Sequence, residues 1–161
     1  MSLDLASYNR KGQLFVAANV SAKSVIAVTA AMTGVILYNP PSSRKNLLIA
    51  KVGFAWTTVP GAVHNLGIAL APPNLTAPAT VTAIGSGVLK ADGSGNAGNS
   101  VTLAYDAATL PAAPVSVYWF GGAAWGSSVG VSPYTVTNDI DGGIMLVPGA
   151  VMTFSAVTTT A

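Results

Sequence analysis

Apolar residues recur at alternate positions in many short runs of this chain, and Gly or Pro breaks the pattern every several residues. In "LLIAKVGFAW", Leu48, Ala50, Val52, Phe54 and Trp56 alternate with Ile49, Lys51, Gly53 and Ala55. That period sends one set of side chains to a single face of a strand. The same reading sets Val101, Leu103 and Tyr105 against Thr102 and Ala104 in "SVTLAYD", and Val115, Val117 and Trp119 against Ser116, Tyr118 and Phe120 in "PVSVYWF". Toward the end, "GGIMLVPGAVMTFSAVTTT" reads as two strands joined at Pro148-Gly149, a pair suited to the corner of a tight turn. Runs near residues 13, 25, 35, 48, 66, 81, 101, 115, 134, 144 and 151 predict about ten short antiparallel strands, at the spacing of a sandwich or barrel. The stretch "AYDAATLPAA" is the one place where a helical turn is expected, and "PPNLTAP" and "KADGSGNAGNS" read as surface loops.

Before Leu14 no alternation is visible. Residues 1–13 are therefore expected to form an N-terminal arm, and residues 14–161 a single β-sandwich domain. Leu3, Leu5 and Tyr8 give the arm more apolar anchors than a solvated tail needs, and Arg10 and Lys11 give it positive charge. All five are candidates for contact with a neighbouring subunit or capsid.

Composition sharpens this picture. The chain is 51% hydrophobic with a mean hydropathy of +0.56, but the excess comes from Ala, Val and Gly. Its longest apolar span, Val25 to Tyr38, includes Thr29 and Thr33 and runs into Asn39-Pro40-Pro41. It falls short of the roughly 20 residues that a bilayer needs, so no membrane partner is expected. Asp4, Arg10 and Lys11 precede the first sustained apolar run, which does not suit a signal peptide, and synthesis in the cytoplasm without export is the expectation. The absence of Cys excludes disulfides, thiolate metal ligands and cysteine nucleophiles. The absence of Glu and the abundance of Val, Thr, Gly and Pro favour strands over helices.

Only 7% of residues are charged, and they are unevenly placed. Residues 1–51 hold six basic residues and one acidic, whereas residues 52–161 hold one basic and four acidic. A surface built of Ser, Thr, Asn, Gly and Ala is poorly protected against association, which points to life in an assembly. Arg44 and Lys45 stand out at the Pro-rich turn between two apolar runs and are further contact candidates. The basic footprint is thin and carries few interleaved aromatics, so nucleic acid is not an expected partner.

The inventory of chemical groups argues against an enzyme. His64 is the sole imidazole, which rules out a multi-histidine metal site, and it is assigned no role. Asp139 and Asp141 in "TNDIDGG" have the look of a calcium loop but lack its closing acidic residue, and a turn is the preferred reading. Five Asp without any Glu give a two-carboxylate hydrolase almost nothing to draw on, and no phosphate-binding glycine motif is present. No catalytic, cofactor-binding or metal residue is assigned. Trp119, Phe120 and Trp125 in "VYWFGGAAWGSS" suit either a core and subunit interface or a sugar-stacking platform.

The stretch "TGVILYNPPSSRKNLLIAKVGFAW", with the closing "DGGIMLVPGAVMTFSAV", resembles a group of small tailed-bacteriophage virion proteins. Leu37, Asn39, Pro40, Ser43, Lys45, Leu47 and Ile49 carry the likeness; Arg44 departs from it, where a small residue is usual. The resemblance implies a hairpin at this stretch, a jelly-roll-like sandwich, homo-oligomeric assembly and a place on the virion as a capsid decoration or cement protein. The partners it implies are the major capsid protein and further copies of the chain, with a homotrimer expected from the apolar residues on both strand faces. The alternatives are a tail or head-fibre component that binds a host-surface carbohydrate or receptor, and a surface-layer or fibre subunit.

Overall fold

The computed structural model describes residues 4–55, 64–85, 87–96, 100–123 and 135–158. Within them the chain forms α1 (Leu5–Arg10), β1 (Phe15–Val16), β2 (Ala31–Tyr38), a short 3-10 turn (Pro41–Ser43), β3 (Leu47–Ala55) and β4 (His64–Ala71). There follow β5 (Ala79–Ala83), β6 (Leu89–Lys90), β7 (Leu103–Thr109), β8 (Val115–Ala123), β9 (Thr135–Leu146) and β10 (Val151–Thr158). Every strand pair is antiparallel. The expected all-β fold with about ten antiparallel strands is what the chain adopts.

Six strands make the main sheet, in the order β5-β7-β2-β10-β4-β8, and β3-β9 and β1-β6 form two smaller sheets. Ile49, Val52, Ile144 and Leu146 of the β3-β9 pair pack against Ile68, Met152 and Phe154 of the main sheet, giving a sandwich-like core. Alternate residues of the central strands go to opposite sides. Leu37, Met152 and Phe154 face this core, while Ile36, Tyr38 and Val151 join Met32, Ala71, Ala108 and Leu110 in a second cluster, against which Ile26 packs. The centre of the main sheet is thus apolar on both faces, as a strand with neighbours above and below must be.

Several expectations need correction. "AYDAATL" is a strand, because Ala104, Asp106 and Ala108 fit against neighbouring strands and tertiary pairing overrides the helix preference of Ala. The helix lies instead at Leu5–Arg10, where the Asp4 side chain accepts a hydrogen bond from the Ser7 amide and caps it. The runs near 134 and 144 are one strand, β9, and the run near 25 is not a strand. In β3 the buried residues are Ile49 and Val52 rather than one alternating set. The reason is a bulge: Ile49 pairs with Ile144 while Lys51 pairs with Asp139, so Ile140 to Gly143 loop out of β9. Asp141 and Gly142 take positive φ there, so "DIDGG" is a bulge within a strand.

Candidate docking groove and basic corner

β2 and β3 are not hydrogen-bonded to each other, contrary to the hairpin that the resemblance implied. β2 pairs with β7 and β10, and β3 pairs with β9. The "NPPSSRKN" stretch is a corner at which the chain leaves the main sheet for the smaller one. Val147 to Ala150 makes the same passage in reverse, since Tyr38 pairs with Val151 and Leu47 with Leu146. The two corners are bound together by Asn39, which is 1% exposed. Its side-chain amide donates to the Lys45 and Leu146 carbonyls, each at 2.8 Å. Its backbone amide donates to the Ala150 carbonyl at 3.0 Å, and its carbonyl accepts from the Gly149 amide at 2.6 Å.

Each corner has local reasons for its shape. Pro40 and Pro41 have no amide to offer a ladder, and Ser43 accepts the Lys45 amide at 3.3 Å. The expected tight turn at Pro148-Gly149 is present: the Ala150 amide reaches the Val147 carbonyl at 3.0 Å, and Gly149 holds φ +90°, as the third position of a type II turn requires. A Cβ on Gly149 would also sit 2.8 Å from the Asn74 carbonyl oxygen.

Beside this double corner runs a groove of about 390 Å³ between α1, β3 and residues 100–102. Four of the residues singled out in the sequence meet in it: Leu5, Tyr8 and Lys11 from the N-terminal segment and Lys45 from the corner. Arg10 lies in an adjoining hollow with Lys11, Lys90 and Asp92. Arg44 is exposed on the corner in the left-handed region, φ 51°, and is not part of the groove wall. Leu3 and Trp125 lie outside the described residues, as does the side chain of His64.

The sequence reading missed Lys90, which the count by halves placed with the acidic part of the chain; β6 brings it back beside Gly12, at the end of α1. It also missed Leu48 and Val101 in the groove, both of which the alternation only grouped with other apolar residues on one face of a strand. Nor do the two charge halves separate in space. Lys23 pairs with the buried Asp106 at 3.3 Å, beside Asn19, and Lys51 pairs with Asp139 at 3.4 Å. Asp92 is held below the usual carboxylate range, first by the Ser94 hydroxyl and then by the Ser94 amide. Arg10, Lys11, Lys45 and Lys90 have no carboxylate within ion-pair distance among the described residues.

Among the described residues no group of three or more His, Cys, Asp or Glu is placed to hold a metal ion, and no helix is long and apolar enough to cross a membrane. Comparison with protein-family models, curated proteins and solved structures finds no match to this chain.

Proposed function

We propose that this chain is a non-enzymatic structural protein of a bacteriophage particle. It decorates and stabilises the capsid as a homo-oligomer, most simply a homotrimer, with the major capsid protein as partner. The passage of two paired strands together from one sheet to the other suits a jelly-roll-like sandwich. One observation carries the reading: several of the apolar residues that alternation grouped on one face of their strands are turned outward. Leu48 is 44% exposed, Leu103 44%, Val115 64%, Val117 50% and Trp119 45%, while Ala104 and Phe120 from the opposite faces pack inside. Leu48 sits directly across from Met145, itself 49% exposed, on the outer side of the β3-β9 pair. On a surface with few charges, such positions favour contact with further subunits.

Light scattering at micromolar concentration is expected to give a multiple of the 16.1 kDa chain. A monomer overturns the oligomer. Electron microscopy of particles prepared with and without the chain tests the capsid assignment, which fails if the shells are identical.

Trp119 supports a second reading, a head-fibre or tail component that binds carbohydrate. Its ring lies against Gly67, where any Cβ would run into it and the Tyr118 carbonyl, and the residue is 45% exposed. A half-open indole held over a strand is suited to stacking on a sugar. Quenching of tryptophan fluorescence by host-surface polysaccharide, abolished in Trp119→Ala, is the outcome that favours this reading.

A further inference from the structure

The groove beside the double corner has a chemistry that the outward strand faces lack. Among the described residues its walls contain no acidic residue, Lys11 and Lys45 stand at its sides, and Leu5, Tyr8, Leu48 and Val101 supply apolar surface. Arg10 and Lys90 extend the positive charge into the adjoining hollow, where Asp92 is the one carboxylate. Four cations thus gather in a protein with seven in all, and none is neutralised by an ion pair among the described residues. The Lys11 and Lys45 chains belong to different parts of the fold, so their convergence is a property of the folded groove.

We propose that this groove binds an extended acidic segment of a partner protein, one carrying carboxylates and at least one bulky apolar side chain. Carboxylates complement the cation rim. The apolar residue covers Tyr8 and Leu48, which are 39% and 44% exposed. Gln13, Asn46, Ser100 and Thr102 are placed to meet the backbone of such a segment. A nucleic-acid strand fits less well, because Tyr8 and Phe15 are the only aromatic residues in the wall among the described residues and base stacking needs a series of them. The proposal depends on the function argued above only for the identity of the partner; the groove is the same in any assembly.

The test is fluorescence polarisation with a labelled peptide alternating aspartate and leucine, at low and moderate salt. Two comparison probes are the same peptide with asparagine for aspartate, and a short oligothymidylate. The acidic peptide is expected to bind, more weakly as salt rises. Lys11→Gln and Lys45→Gln should each reduce affinity roughly fivefold, and Tyr8→Ser should reduce it as well, with thermal melting unchanged. Lys51→Gln, which removes a cation paired with Asp139, should leave affinity within about twofold. The proposal is overturned by no binding, by equal binding of the asparagine peptide, by insensitivity to both lysine substitutions, or by tighter binding of the oligothymidylate. None of these outcomes bears on the oligomer, which light scattering decides separately.

Discussion

The stretch from Asn39 to Asn46 contains two regions of opposite character. At one end Asn39 is sealed from water and spends its side chain and backbone on four hydrogen bonds that hold two corners together. A few residues on, Arg44 and Lys45 stand in solvent with no ion-pair partner among the described residues. A buried amide that satisfies two carbonyls is worth its full desolvation cost when removed, whereas an exposed cation contributes almost nothing to stability. One short segment thus separates fold from recognition, and substitutions on its two sides should have effects that do not overlap.

The largest effect is expected at the sealed end. Asn39→Ala leaves the Lys45 and Leu146 carbonyls without their donor and should lower unfolding free energy by about 2 to 4 kcal/mol in urea titration. A loss under about 0.5 kcal/mol would mean that water replaces the amide. Gly149→Ala belongs in the same range, at about 2 kcal/mol or more, since it forces a side chain into positive φ and against the Asn74 backbone.

Tyr38, the last residue of β2 before this corner, gives the comparison a pH dependence. Desolvation raises its pKa above the ordinary 10.0, and Tyr105, with which it shares a cluster, is raised for the same reason and by Tyr38 itself. The folded state keeps both protons where the unfolded chain has lost them. Stability is therefore full below pH 10 and falls as pH rises above it. Tyr38→Phe should shallow that alkaline decline; an unaltered slope would assign it to other groups.

A smaller effect is expected from α1, none of whose residues is buried. Deleting residues 2–12 should cost less than about 1 kcal/mol while removing one wall of the groove. A truncated chain that does not fold would show that the segment is integral to the sandwich. Smallest of all is the exposed end of the corner. Arg44→Glu with Lys45→Glu should leave the melting temperature in place and weaken attachment to undecorated shells; full occupancy on those shells removes the corner as a capsid contact.

Much of the local structure was readable in the sequence, because strands, turns and loops follow from near neighbours. Pro148-Gly149 specifies its turn by the fixed φ of one residue and the freedom of the next. What stayed hidden depends on pairing between distant residues. No local signal tells that β2 and β3 lie in different sheets, since that follows from Tyr38 meeting Val151 and Leu47 meeting Leu146. The bulge at Ile140 to Gly143 shifts the alternation of β3 in mid-strand, between Ile49 and Val52, so a face read from a run of letters does not hold along the whole strand. The groove was half legible: Leu5, Tyr8, Lys11 and Lys45 were chosen as contacts, but Lys90 reaches them only through the pairing of β6 with β1.

The place of β10 also determines when the protein can fold. It lies between β2 and β4 in the middle of the main sheet, yet it is made after every other strand described here. Until it leaves the ribosome, β2 and β4 each present a bare hydrogen-bonding edge, and Tyr38 and Ala71 have no Val151 to pair with. Long-range pairing of this kind slows the search for the native state. The main sheet is consequently completed late, and a nascent chain halted before β10 should be more sensitive to protease at β2 and β4 than the full chain.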